Sequence, residues 1–313
     1  MKMIASSFMP AVTQMIYDMG LQEYLHGITF ECPKIALVEK QVAVRYKLEG
    51  QALTSEEINT IFSKTKAEGG TLYYVDELVL ESIAPDVIFT QDVCDVCQID
   101  TACVATSAYK LQKVPKLISI TPNSLEDVFE NALTIADALG KKEIGLAYVK
   151  KLKERMYAII DQQRAKRIQP KSVLMLEWID PLFNCGHWIP HQIGFAGGID
   201  LLSHPSGNSI VIPWDKIVKY NPEILIIAPC GYQISRTLED MKFLEERPEW
   251  QALKAVQNGN VYLADFDMFT QSSAATLVNG IECLAKMIHP QYFKISADLS
   301  QKFTNYKELT VIK

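Results

Sequence analysis

Apolar runs punctuated by glycine and proline alternate with helical stripes along most of the chain. Ile4–Phe8 reads as a short strand, and Pro10 then sits where a first helical turn tolerates proline, ahead of an apolar stripe at Val12, Met15, Ile16 and Met19. Gly20 ends that helix and Gly27–Phe30 gives a second strand. The same alternation returns later: the strand Val173–Leu176 leads into a loop carrying Trp178, Phe183 and Trp188, then a helix Trp188–Phe195 closed by Gly197-Gly198. Between these stretches, Ser124–Leu139 is apolar at helical spacing. Lys142–Arg167 is charged, with Ile144, Tyr148, Leu152, Met156, Ile159 and Ile160 as its stripe. A helix of about 24 residues spans ~36 Å, so 142–168 is expected to act as a stiff linking helix.

Two stretches repeat. Met19–His26 and Gly197–His204 share a helix end, two apolar positions and a His, 178 positions apart (197 − 19). Leu80–Gln91 and Ile217–Ala228 are each a helix end, a Pro-acid turn and a buried-type strand, 137 apart (217 − 80). The first half therefore carries an insertion of about 41 residues, roughly 32–74, in which Ser55–Lys66 has the signals of a helix start. Parallel strands need helical crossovers, so the expected class is α/β. Two Rossmann-like lobes with parallel sheets are predicted, 1–141 and 169–313, joined by the long helix.

Composition narrows the function classes. The 313 residues are 48% hydrophobic and 22% charged, with 31 basic against 37 acidic residues for a net charge of −6. The chain is long enough for two cores, and it has no basic run that would engage nucleic acid. No apolar run reaches the ~18 residues of a membrane span, and no secretory leader is visible. As given, the chain reads as cytoplasmic; removal of a leader would make it periplasmic or extracellular. Seven Cys, an odd number scattered over a large chain, argue against a complete disulfide framework.

A cleft between two lobes suits ligand capture at strand C-terminal ends. The loops expected there are rich in aromatic groups and poor in Arg and Lys, which favours a large, partly apolar ligand. They supply the candidate binding residues Phe8, Glu31, Cys32, Gln91, Asp92, Cys94, Cys97, Trp178, Phe183, His187, Trp188, Cys230, Tyr232 and Phe269. Cys94 and Cys97 form a lone CxxC without a second pair at zinc spacing. The alternatives are buried apolar thiols, or a metal or redox site formed with Cys32, Cys185 and Cys230. His187, between Gly186 and Trp188, is the candidate metal ligand, or else a ring bonded to loop backbone. His26 and His204 read as structural. Glu77, Glu81 and Asp215, on helices preceding the repeated strands, read as solvated or as docking acids. The familiar nucleotide, hydrolase and zincin signatures are absent, so no enzyme is expected.

With Ser7–Leu21, Gly27–Pro33, Val44-Arg45, Thr90–Cys97, Gly186–Pro190, Ala196–Gly198, Pro229–Gly231 and Asn258–Tyr262, the chain resembles the cobalamin-type (class III) solute-binding proteins of ABC importers. It is most similar to a subgroup often lacking a leader. The resemblance covers nearly the whole chain and implies two Rossmann-like lobes with a rigid connecting helix. It implies cobalamin, another corrinoid or a related metal chelate as ligand, an ABC permease as partner, and a monomer. It also implies that Trp178, Trp188, Tyr232 and Phe269 pack on a macrocycle, and that Glu77 and Asp215 match the permease-docking positions.

Overall fold

The computed structural model describes residues 2–50, 61, 64–65, 72–91 and 101–310. The chain forms two compact units, one from Met1–Thr121 with Asn131–Leu146 and the other from Pro122–Glu130 with Ala147–Lys313. Each is an α/β unit around a sheet that is parallel except at one edge.

In the first unit the strands are β1 (Ala5–Ser7), β2 (Leu25–Thr29), β3 (Gln41–Tyr46), β4 (Tyr73–Val75), β5 (Val87–Thr90) and β6 (Lys116–Ser119), in the order β4-β3-β2-β1-β5-β6. All neighbours are parallel except β3 and β4. β1 and β5 are buried along their whole length, which explains their continuous apolar character: a strand covered on both faces has no polar side to show. The core gathers Val44, Val75, Leu80, Ile83, Ile88 and Val104. The range 32–74 contributes more than the helix read from it, since β3 lies within it and the edge strand β4 begins in it. Most of the expected helix Ser55–Lys66 lies outside the described residues.

The second unit contains β7 (Lys171–Leu176), β8 (Gly198–Ile199), β9 (Ile224–Ile227), β10 (Val261–Ala264) and β11 (Phe303–Asn305), ordered β11-β10-β9-β7-β8 with β11 antiparallel. Leu174, Leu176, Leu225, Ile227, Trp250 and Leu263 form its core. The helix expected from Lys142 runs Lys142–Ala165, but the buried stripe is Val149, Leu152, Met156 and Ile159, while Ile144 is exposed. Arg155 on this helix bonds Glu282 at 3.0 Å and Asn279 at 2.7 Å.

The 137-residue repeat is visible atom by atom. The helix Glu77–Ile83 ends on Ala84 at φ 47° and the helix Trp214–Tyr220 ends on Asn221 at φ 49°, the same left-handed cap at equivalent positions. Two residues on, Asp86 accepts the Ile4 N–H at 2.7 Å, and Glu223 accepts the Ser172 N–H at 2.9 Å. Each carboxylate ties the incoming strand to the start of the first strand of its sheet. The other repeat is looser than its sequence layout. Gly20 (φ 69°) and Gly197 (φ 84°) both end helices left-handed, a register one residue off the expected one. After that β8 begins at once, whereas β2 follows a 3-10 turn at Gln22–Tyr24.

Candidate functional site

In an open parallel sheet, ligand-binding loops gather at the carboxyl ends of the strands flanking the point where strand order reverses. In the second unit that point lies between β7 and β9, which end at Glu177-Trp178 and at Pro229–Tyr232. The Trp178 and Tyr232 rings come together there, 5.2 Å between centroids and tilted by 57°, both partly exposed. Two apolar rings left in partial contact with water are costly unless a ligand covers them. Arg236 lies over Tyr232 at 5.0 Å, its charge already met by Glu239 and Asp240.

The wall behind this pair is built by close backbone approach. Glu177 and Phe183 close a loop through the Glu177 N–H to Phe183 carbonyl bond at 3.2 Å, and Phe183 bridges on to Val211. Asn184 is buried, and its side chain accepts the Ile210 N–H at 2.7 Å and donates to the Leu202 carbonyl at 2.5 Å. Gly186 is required where it stands, because a Cβ there would sit 2.6 Å from both Asn208 C and Ser209 N, and closer still to the Gly207 oxygen. The Ser209 hydroxyl accepts the Gly186 N–H at 3.0 Å and also holds the Glu177 carboxyl. His187 follows at φ 52°, its N–H on the Gly207 carbonyl, with its ring 5.6 Å from that of Trp188. Trp188 donates its indole N–H to the Phe269 carbonyl at 2.6 Å, which fastens this wall to the short helix Asp267–Thr270 after β10.

Electrostatically this edge is acidic and its thiols are quiet. Burial raises the Glu177 carboxyl, against the lowering effect of Ser209. Burial also pushes the Cys230 thiol to about 12, helped by the nearby Glu177 charge; its surface is accessible, but the protein crowds it enough to strip water from any thiolate. Asp265 and Asp267 share Lys302, each at 3.3 Å.

The first unit carries a second aromatic group at the carboxyl ends of β2 and β3. Tyr46 and Tyr73 are direct cross-strand partners, with ring centroids 5.4 Å apart. Phe30, just past β2, stacks on Tyr46 at 5.7 Å and 11°, and lies 6.1 Å from Tyr73. All three are partly exposed. Glu31 comes next in the chain, exposed at its surface, and desolvation by the surrounding protein lifts its carboxyl to about 6.

Of the residues expected from sequence, Trp178, Cys230 and Tyr232 share one edge, with Phe183, His187 and Trp188 in the adjoining wall. Three expectations need correction. Phe8 is 2% exposed, Cys32 4% and Phe269 0%, so their side chains belong to the interior. Phe8 packs in the first unit's core, Cys32 hydrogen-bonds Thr13 Oγ1 at 3.1 Å, and Phe269 offers only its carbonyl, to Trp188. Burial pushes Cys32 to about 11 and Cys185 well above its ordinary value. Asp92, Cys94 and Cys97 lie outside the described residues, and Gln91 is partly exposed at the end of β5. Among the described residues no group of three or more His, Cys, Asp or Glu is placed to hold a metal ion. Glu77 is held by Lys110 at 2.5 Å and by Ser107 at 3.3 Å, which lower its carboxyl; Asp215 is exposed in its helix's first turn. Sequence reasoning missed Glu177, Tyr46 and Tyr73. Glu177 was legible as the residue following a buried strand. The tyrosines were not, since only the pairing of β3 with β4 joins them.

Comparison with known proteins places this geometry. Residues 36–268 match the family model described as periplasmic binding protein. A periplasmic binding protein from Veillonella parvula superposes with a TM-score of 0.69 at 17% identity, covering 92% of both chains. A periplasmic heme binding protein from Pseudomonas aeruginosa gives 0.67 at 15%, covering 96% of this chain and 97% of its own. The periplasmic vitamin B12 binding protein of Vibrio cholerae gives 0.60 at 14%, covering 91% and 95%. At these identities the likeness is one of fold. Among curated proteins none matches the chain significantly.

Proposed function

Because this chain belongs to the periplasmic binding protein family, we propose that it is a non-catalytic binding protein for a corrinoid or a related planar metal chelate, handed on to an ABC permease. The observation that carries the reading is the partly exposed Trp178–Tyr232 pair at the strand-order reversal of the second sheet. Aromatic rings kept partly in water at such a strand-order reversal suit a flat, largely apolar ligand. Vitamin B12 and heme are named as ligands of two proteins with this fold, and they are the two macrocycles to test.

The thiol-redox and metal alternative is not favoured by the described cysteines. A redox-reactive Cys needs thiolate character, and Cys32, Cys185, Cys230 and Cys283 are all pushed the other way by burial, while no group of three or more His, Cys, Asp or Glu among the described residues is placed to hold a metal ion. For docking to a permease, exposed Asp215 is the more available acid, since Glu77 is engaged by Lys110.

The test is an absorbance spectrum from about 300 to 600 nm after incubation with cobalamin, dicyanocobinamide or heme and removal of free ligand, at macrocycle concentrations well above those of micromolar binding. Macrocycle bands retained near one-to-one by wild type and lost in Trp178→Ala/Tyr232→Ala support the reading. A colourless protein in all three cases overturns it.

A further inference from the structure

We propose that Asp265 is a positioning residue for the ligand edge of the second unit: together with Phe266 it grips the chain on both sides of Gln233 and so fixes Tyr232, and Lys302 holds it in place. This rests on the reading of the protein as a macrocycle binder with Tyr232 against the ligand, and it adds what sets that ring.

The turn by itself gives the ring little support. It links β9 to the helix Ile234–Asp240, and Gly231 within it sits at φ 80°, with nothing but its chain neighbours within 4 Å of the place a Cβ would take. A glycine in such a place leaves the backbone free to swing. The Cys230 N–H is tied to the Glu177 carbonyl at 3.0 Å, but that bond lies before Gly231 and leaves Tyr232 beyond it. Ile234 opens the helix, so its N–H has no acceptor inside the helix, and Gln233 offers no side-chain cap.

Asp265 and Phe266, just past β10, supply both contacts. The Asp265 carboxylate accepts the Ile234 N–H at 3.2 Å, and the Phe266 N–H donates to the Tyr232 carbonyl at 3.3 Å. Two adjacent residues thus bracket Gln233, which fixes the direction of the chain at Tyr232 as well as its place. The same grip sets the helix start from which Arg236 lies over the Tyr232 ring at 5.0 Å. The Asp265 side chain is largely covered, and a carboxylate so placed needs a cation. Lys302 brings its ammonium to 3.3 Å and accepts the Asp265 N–H on its own carbonyl at 2.9 Å. A cap serving the helix alone is ordinarily the residue just before it. Here it comes from 31 residues away, on the neighbouring strand end, and it couples Tyr232 to β10.

The experiment titrates cobalamin, dicyanocobinamide and heme separately against the full chain as wild type, Asp265→Ala, Asp265→Asn, Lys302→Met and Tyr232→Ala, and with Asp265→Ala or Lys302→Met added to Tyr232→Ala. Thermal stability is measured alongside. For a macrocycle that wild type binds, Asp265→Ala should weaken binding about five- to tenfold, while Asp265→Asn, whose amide oxygen still accepts the Ile234 N–H, should stay within about twofold of wild type. In the Tyr232→Ala background Asp265→Ala should change affinity by less than about twofold, because the ring it positions is gone. Lys302→Met keeps the stem and the carbonyl but leaves the carboxylate without its cation; it should weaken binding about threefold, and it replaces Asp265→Ala in both backgrounds if that variant does not fold. Asp265→Ala that lowers the melting temperature and leaves affinity unchanged overturns the positioning role in favour of a structural one. Equal weakening with and without Tyr232 overturns it too, since Asp265 would then not act through that ring. Both results leave the macrocycle reading standing. Wild type that binds none of the three overturns that reading and, with it, the positioning role.

Discussion

Gly186 and Gly194 are eight positions apart, and the same substitution at each should have opposite effects. At Gly186 a methyl group would meet backbone atoms, 2.6 Å from Asn208 C and from Ser209 N and closer to the Gly207 oxygen. Backbone cannot rotate aside, so the segment 207–209 must move by roughly an ångström to reach ordinary contact at about 3.5 Å. Moving it disturbs the Gly186 N–H to Ser209 bond at 3.0 Å and the His187 N–H to Gly207 bond at 2.7 Å. Overpacking with lost hydrogen bonds puts the cost of Gly186→Ala at about 2–3 kcal/mol. Gly194 lies in the helix Ile189–Phe195, and a methyl group there would have nothing within 4 Å, so Gly194→Ala only removes backbone freedom and should gain about 0.5–1 kcal/mol. All four Trp lie in the second unit, which makes their fluorescence during urea unfolding a report on this unit alone. The Gly186→Ala midpoint should fall and the Gly194→Ala midpoint should rise. Shifts of the same sign, or a Gly186→Ala change within about 0.5 kcal/mol of wild type, would refute the close-approach argument.

Other outcomes follow from particular contacts. Asn184→Ala removes the partners of the Ile210 N–H and the Leu202 carbonyl, and should cost about 2–4 kcal/mol in the same unfolding assay. Iodoacetamide should label Cys230 at pH 8 at least about a hundredfold slower than a free cysteine despite its accessible surface, because burial and Glu177 hold the thiol near 12; rapid labelling would contradict that. Asp86 has its carboxyl lowered first by Lys113 and then by the Ile4 N–H. A depressed folded-state pKa gives stability that is present above the unfolded value of about 3.9 and lost as pH falls through the folded one, so Asp86→Asn should flatten the acid limb of the stability profile below about pH 4. An unchanged acid limb would remove that linkage.

Much of the fold was legible because its signals are local. Buried strands such as Val173–Leu176 and Ile224–Ile227 read as continuous apolar runs, and Gly20 and Gly197 mark real helix ends. The turn Ala84–Asp86 was legible from its match to Asn221–Glu223, even though Ala is an unusual left-handed cap. The site was less legible, for two reasons. Burial separates residues that sequence cannot: Phe8 and Phe269 follow strands, as Trp178 does, yet they point into cores while Trp178 stays at the rim. Pairing also joins what sequence separates. Tyr46 and Tyr73 meet only because β4 runs antiparallel to β3, and no periodicity announces an edge strand of three residues.

The two sheets use the same carboxylate tie and the same left-handed cap, but they order their strands differently around them. In the first, β2 and β3 both lie on the far side of β1 from β5, so the strand ends beyond the reversal point carry Phe30, Glu31 and Tyr46. In the second only the two-residue β8 lies beyond β7, and the aromatic pair must come from the strands at the reversal itself, β7 and β9. Each edge nonetheless ends with partly exposed aromatic side chains, Phe30, Tyr46 and Tyr73 in one and Trp178 and Tyr232 in the other. The same class of side chain is thus brought to the two edges by different pairings, β3 with the antiparallel β4 in one and β7 with the parallel β9 in the other.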